Sequence, residues 1–389
     1  MAFADTITIA ALEADPYPIY ARLRDEAPVA HVPAANLWMV TRWADVEHVS
    51  KSADEFPSEG QMGPIHESFG TPAILTSDGA VHRELRAGIE PHYRAGRVAE
   101  YVEALVRPLA EAHLAGFVGR GQAELLADYF EPVSGLALAR SMGMADVDGP
   151  TLRRWFHGLS QGAINFERDP ARQAISDRTV AEIDAVVLPL LERLTQAPDH
   201  SPLSHMLHSG MPAGQVRPAA QIMPTLRITL LGGMQEPGHG AGSTLAGLFA
   251  NPDQMAAVRA DMGLIGAAVD EGCRWVAPIG TATRTVHRDT AFGGVTIPAG
   301  AVVAAVLASA NRDGSRFENP DAFDLHRARK GHATFAFGAH FCAGKWFAKA
   351  QMEIMLQVLL DAAPHLRLAA PVVFRGWEFR APTALPVTF

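Results

Sequence analysis

Over most of the first two thirds of the chain, apolar residues recur at three- and four-residue spacing between Pro and Gly stops, the spacing of amphipathic helices. The stretches from "SDGAVHRELRAGIEPHY" to "AGFVG", then "ELLADYFEPVSGLALARSMGM" and "VAEIDAVVLPLLERLTQ", all read this way. Ahead of them, "DPYPIYARLRDEAPVAHVP" predicts a short helix with Ile19 and Leu23 on one side, closed off before Pro28. "LWMVTRWADVEHVSKS" predicts a strand from Leu37 to Val40, a turn and a short helix. Beyond Pro278 the texture changes to short β-like runs, "TATRTV", "AFGGVTIPAG" and "VVAAVLASA", followed by the loop-rich "NRDGSRFENPDAFDLHR". The longest apolar run, "IPAGAVVAAVLASAN", is too short to span a bilayer and predicts a buried strand. Helix returns after Cys342, with Phe347, Ala350, Ile354 and Val358 on one face and Lys345, Lys349, Glu353 and Gln357 on another.

With 389 residues, 48% of them hydrophobic, the chain can bury a large core, and no linker, repeat or charge block divides it, so one domain over residues 1–389 is expected. A net charge of −9 argues against nucleic acid as a partner, because phosphate recognition needs a basic surface. Two cysteines, Cys273 and Cys342, are too few for a disulfide framework, and "MAFADTITIA" lacks the basic and apolar regions of a secretion signal. A cytoplasmic protein with no membrane partner is the expectation.

One of those cysteines stands in a notable frame. "FAFGAHFCAG" sets Cys342 among Phe335, Gly338, His340 and Gly344, just upstream of the last helix. Backbone N–H groups and the helix dipole there are expected to favour a thiolate, which is a metal ligand. A lone cysteine is more often an inert core residue. The frame decides otherwise, because it resembles the haem-thiolate signature of cytochromes P450.

The resemblance implies the P450 fold, mainly α with a small β region, and haem b with the Cys342 thiolate as axial ligand to iron. It further implies that Phe335 packs near the sulfur, that Gly338 and Gly344 let the loop approach the porphyrin, and that Ala336, in place of the usual Gly, is a minor change. His82 and Arg86 in "VHRELR" lie one helical turn apart. With Arg284 in "TATRTV" and His340, they match the family's propionate-binding positions. "EGCRW" places Glu271 and Arg274 at i and i+3; by spacing alone this is a surface pair worth about 0.5 kcal/mol at most. In the family it is structural and completed by a third cation, for which His326 or Arg327 is available where Ala322 now stands.

"TLLGGMQEPGHGAGSTLAGLF" carries a Gly pair and a Pro inside a helical pattern, which should kink it. In P450s the corresponding helix makes room for dioxygen, and its acid and alcohol deliver protons. Gly232 and Gly233 fit that pattern, but Gln235 and Glu236 stand where the acid and alcohol belong, so the catalytic assignment falls on Glu236 and Gln235. Glu236 either relays protons or bonds the broken helix backbone. This "GGMQEPGHG" variant resembles bacterial aromatic O-demethylases of the guaiacol type, as do "EPVSGLAL", "HSGMPAGQ", "FDLHR" and "GWEFRAPTALPVT".

On that resemblance the substrate is a small methoxy- or alkoxy-aromatic, clamped by Phe69 and Phe379 and surrounded by Ile228, Gly232, Ile279 and Ala282. Ala163 stands where a third clamping Phe is expected, with Phe166 as the alternative, and Gly280 replaces a bulkier residue, so a roomy pocket is expected. O2 and an NAD(P)H-dependent reductase of flavin and iron–sulfur type are the implied partners. The reductase would dock on a patch built from Lys345, Lys349, Arg97 and Lys330. Hydroxylation of another small hydrophobic molecule, a peroxide-driven peroxygenase and a non-catalytic haem sensor or carrier are the alternatives.

Overall fold

The computed structural model describes residues 2–60, 63–328 and 330–389. Helices dominate, as the pattern predicts, and the β structure is divided among four small sheets. Strands Val29–Val32 and Leu37–Val40 form a hairpin. Leu37–Val40 runs parallel to Val302–Ala305, which pairs antiparallel with Ala282–Thr285, closing a four-stranded sheet. The apolar run predicted as one strand is interrupted: the strand stops at Ala305, the Val306 N–H makes the last bond to the neighbouring strand at the Val40 carbonyl, 2.9 Å away, and a short helix, Leu307–Ala310, follows.

The helix at the centre is broken in two. Ala219–Met234 ends and Glu236–Ala250 begins across Gln235, whose φ of −119° departs from helical values. The cause is local: Pro237 has no N–H, so the Gly233 carbonyl loses its i+4 donor, and Gly232 and Gly233, one turn ahead, carry no side chains to stiffen the helix. Nearly every residue of the second segment is buried, and the C-terminal helix Lys345–Ala362 packs against it. That last helix buries Phe347, Ile354 and Val358 as predicted, and also Gln351, Met352, Met355 and Leu359, so its apolar face is wider than one stripe.

The Glu271–Arg274 pair belongs to the core rather than the surface. Arg274 is 2% exposed and grips Glu271 with two bonds of 2.8 and 2.7 Å. Its remaining donors reach the carbonyls of Asn311, Pro320 and Ala322. Arg327 adds the third cation at 3.2 Å from Glu271, while His326 stays exposed outside the cluster. Removing one partner of such a pair strands a buried charge, so Arg274→Ala is expected to cost about 3–5 kcal/mol. The exposed Arg22–Glu26 pair should cost under about 1 kcal/mol when Arg22 is replaced by Ala. Urea denaturation of the two variants measures the difference.

Candidate active site

A cavity of about 370 Å³ opens between the helix break and the Cys342 turn. Ile228, Gly232, Gly233, Glu236 and Pro237 form one wall, and Phe335, His340, Cys342 and Gly344 form the facing one. His82 and Arg86 reach it from helix Gly79–Ile89, and Ala282 and Arg284 from their strand. Ala163, Phe166, Ile279 and Phe379 complete it. The proposed cofactor and substrate residues therefore meet around one space, with three exceptions.

Phe69 is fully buried in the helical core and does not border the cavity, so it cannot clamp a ligand there; its carbonyl accepts a bond from Arg227. Gln235 also lies outside the cavity wall, buried at the break itself, which removes it from the catalytic pair. Gly338 turns away too. It has φ +68°, and a Cβ there would lie 3.0 Å from the Ser50 carbonyl, so its lack of a side chain serves the contact with helix Trp43–Lys51 and not approach to the cavity. Gly280 likewise adds no room, since a Cβ would collide with the Trp377 carbonyl at 1.8 Å. Ala163 does open space, but Phe166 also borders it, braced against Trp377 with ring centroids 5.3 Å apart.

Cys342 opens onto the cavity, and its N–H donates to the Phe335 carbonyl at 2.9 Å. Arg86 pins the turn by donating to the Phe341 carbonyl at 2.6 Å while pairing with Glu90. Burial acts to raise the Cys342 thiol, while the Gly344 and Lys345 N–H groups and Arg86 act toward the thiolate, the direction the sequence predicts. Cys273 also touches the cavity wall, but it is 1% exposed, its sulfur rests 3.8 Å from Met352 Sδ, and burial pushes its thiol up to about 12.

The polar end of the cavity is cationic in character. His82 and His340 stack with centroids 4.1 Å apart, and His340 Nε2 contacts Asp78 at 3.0 Å and Ser58 at 3.1 Å. Burial acts to raise the Asp78 carboxyl, but hydrogen bonds from His340 and from the Glu59 and Ser58 N–H groups bring it down to about 2. Burial, then His340, Arg86 and Arg284 nearby, pushes His82 down to about 4. Arg284 is lowered to about 10 by burial, and its Nη2 has no hydrogen-bond partner; neither has His82 Nε2. Arg86 is paired with Glu90 and His340 with Asp78, which leaves buried Arg284 and His82 nitrogens without partners; these suit a ligand carrying carboxylates, as the two propionates of a haem do. The expected basic docking patch is weaker than the sequence implies, since Lys349 is paired with Asp270 and Arg97 with Glu100.

Glu236 is buried in the cavity wall at the helix break, and burial holds its carboxyl at about 8 against the opposing effect of the Glu236 and Gln235 N–H groups. Sequence reasoning missed Thr281 and Glu378, which also line the cavity; a charge between Trp377 and Phe379 in an otherwise apolar stretch was the available signal.

A family model described as "Cytochrome P450" matches residues 250–362. A protein named Cytochrome P450 107B1 of Saccharopolyspora erythraea is 28% identical over 377 residues, covering 92% of this chain and 90% of its own. Vitamin D(3) 25-hydroxylase of Pseudonocardia autotrophica is also 28% identical, over 96% of this chain and 94% of its own. Among solved structures, the myxobacterial cytochrome P450 CYP267B1 in complex with myristic acid superposes with a TM-score of 0.90 at 25% identity, covering all of this chain and 99% of its own.

Ala336, beside the cysteine turn, has φ +56° and ψ −161°, a region that side chains avoid. The loss of the usual Gly is therefore a strained substitution and not a neutral one. Ala336→Gly is expected to raise stability by about 1 kcal/mol, the relief of strain less the added entropy of the unfolded chain. Thermal melting reads it.

Glu236 gives a second prediction. The folded protein keeps this proton up to about pH 8, whereas an unfolded chain releases it near 4.5, so the stabilisation present at low pH is lost as pH rises across that interval. Glu236→Gln is expected to flatten that part of the stability profile, measured by melting temperature against pH.

Proposed function

This chain belongs to the cytochrome P450 superfamily, enzymes that bind haem b through a cysteine thiolate and use O2 and a redox partner, and we propose that it O-demethylates a small methoxy- or alkoxy-aromatic compound. The observation that carries this reading is the helix break at Gln235–Pro237, which presents Gly232, Gly233, Glu236 and Pro237 of "GGMQEPGHG" to the cavity in place of the usual acid–alcohol pair. Its resemblance is to the aromatic O-demethylase type. Phe166 and Phe379, also in the cavity lining, supply flat apolar contacts for a ring.

Cys342 would be the axial ligand, and Arg284, His82, Arg86 and His340 would hold the propionates. Haem, when bound, supplies the activation of O2 with two electrons delivered singly. The protein's own residues do the rest. Ile228, Ile279, Ala163 and Phe379 hold the ring and exclude water, and Gly232, with nothing within 4 Å of the position a Cβ would take, leaves space beside it. Glu236 holds a proton at its carboxyl at neutral pH and is placed to give it up toward the cavity. The overall balance is an aryl methyl ether plus O2, two electrons and two protons to a hemiacetal and water; the hemiacetal then collapses to a phenol and formaldehyde.

The runner-up reading is hydroxylation of another hydrophobic molecule. The myristic acid in the CYP267B1 complex and the name of the vitamin D(3) 25-hydroxylase favour it.

The test is a panel of alkoxy-aromatics with NADH and a reductase. Formaldehyde and phenol in equal amounts are expected, and hydroxylated rings or fatty acids as the sole products would overturn the reading. Turnover with peroxide alone, or none at all, would point to a peroxygenase or a carrier. In the same preparation, Cys342→Ser should lose the thiolate-type ferrous carbon-monoxide band and Cys273→Ser should keep it.

A further inference from the structure

The reaction takes up protons at the cavity, and Glu236 holds one of them there. Among the described residues no charged side chain acts on Glu236: its carboxyl responds to burial and to the Glu236 and Gln235 N–H groups. Glu378, a second acid in the same cavity lining, is placed differently. It is 7% exposed, between the buried Trp377 and the cavity-lining Phe379. Its carboxylate oxygens lie 2.8 and 2.9 Å from the Thr281 hydroxyl, which also borders the cavity. Behind it, ionisable groups lead outward to the N-terminal helices Ile9–Ala14 and Tyr17–Glu26.

The Gly376 N–H donates to the Glu13 carbonyl at 2.9 Å, which sets Glu13 beside the Glu378 segment at a half-buried position. Arg380 turns to the Gly376 carbonyl at 2.9 Å and to the exposed Asp15 at 3.4 Å, with its guanidinium 5.2 Å from the centre of the Tyr17 ring. Tyr20 is fully buried against Tyr17, ring centroids 6.4 Å apart. These groups act on one another. Burial, then Glu378, Tyr17 and Glu13, raise the Tyr20 phenol, and Arg380 opposes them. Burial, opposed by the Thr281 hydroxyl and aided by Glu13, pushes Glu378 up to about 7, and burial raises Glu13 too, against Arg172 and Arg380. Two atoms of this polar seam, Tyr20 Oη and Arg380 Nε, are buried without hydrogen-bond partners, the setting in which proteins hold ordered water. Nor does the fold require an acid at Glu378. The backbone already joins its segment to the cavity wall, through the Gly280 N–H to the Glu378 carbonyl at 2.8 Å and the bridge between Ile279 and Phe379. A carboxyl that titrates near neutral pH can both take up and release a proton.

We propose that Glu378, Tyr20 and Glu13 form a proton inlet that runs from the surface at the N-terminal helices to the cavity, separate from the broken helix that carries Glu236. Water bridges the gaps on either side of the Tyr20 hydroxyl. The Glu378 carboxylic acid gives its proton to water in the cavity. The Tyr20 hydroxyl passes its own proton to the resulting carboxylate and takes one from the Glu13 carboxyl, which solvent refills. Each pass moves one proton inward and no electron, and two passes supply the two protons of one turnover. The inlet rests on the O2 chemistry of the proposed function and holds for any substrate that chemistry oxidises.

Two measurements on the haem-loaded protein test it. In the first, phenylimidazole fills the cavity so that solvent cannot enter there, and infrared spectroscopy follows the protonated carboxyl band that Glu378→Gln removes. After mixing into D2O below the midpoint of that band's titration, the proton of Glu378 is expected to exchange at least about tenfold more slowly in Tyr20→Phe and in Glu13→Gln than in the unsubstituted protein. Tyr20→Phe removes only a hydroxyl that has no partner, and Glu13→Gln lies at the half-buried outer end, so both should fold. In the second, NADH, a reductase and whichever alkoxy-aromatic turns over give kcat in H2O and D2O. Glu378→Gln is expected to lower kcat on the order of 100-fold and the two outer variants about tenfold, with a larger solvent isotope effect and with the dissociation constant of the ring unchanged. A purely structural role moves the dissociation constant and leaves exchange and isotope effect as they were. Exchange that is equally fast in all three proteins overturns the inlet, as does full turnover in Tyr20→Phe and Glu13→Gln; formaldehyde from alkoxy rings in that case leaves the demethylase reading standing. Slowed exchange without formaldehyde from any ring does the opposite: it keeps the inlet and removes the demethylase.

Discussion

The Arg274 guanidinium is the interaction on which the cysteine side of the cavity depends. It is held by Glu271 on its own helix, and it donates to the Asn311 carbonyl on the loop that follows the sheet. Asn311 then spends its side chain on the cysteine approach, donating to Thr334 at 2.8 Å and accepting from the Ala333 N–H at 2.6 Å. Thr334 returns to the Cys273 carbonyl, one residue before Arg274. The next residue is Phe335, whose carbonyl accepts from the Cys342 N–H. A closed circuit of buried bonds therefore fixes where Cys342 points, and buried circuits of this kind are rigid because each broken link leaves an unsatisfied group.

The opposite wall is placed by the reverse device, a missing bond. Pro237 interrupts the ladder of the central helix, and the break is where Glu236 meets the cavity. One wall is thus over-determined and the other deliberately under-bonded. The strain at Ala336 is tolerated on the over-determined side, where the circuit leaves the turn no alternative conformation.

Much of this was legible in the sequence, for identifiable reasons. Helix periodicity survives reading in one dimension because it is local, and the Cys342 frame is recognisable because its members are close in sequence. Arg284, His82 and Ile279, singled out through the family pattern, all border the cavity. What failed were inferences about direction. Phe69 was read as facing a ligand and faces the core; Gly280 was read as space and is filled by a carbonyl from a segment almost a hundred residues later. Glu378 and Thr281 were invisible as a pair, because nothing in either local sequence announces the other.

The unpartnered Arg284 Nη2 and His82 Nε2 have a thermodynamic consequence for the whole chain. Buried polar atoms left without partners oppose the folded state, and an anionic molecule that binds between them, and not to the unfolded chain, adds its binding free energy to the stability of the fold. Cofactor affinity and conformational stability are then one quantity seen from two sides. A substitution in this cluster that weakens retention of the cofactor lowers the apparent stability of the holoprotein by the same amount. Cellular supply of the cofactor, through its free concentration, accordingly sets how much of this chain persists in the folded state.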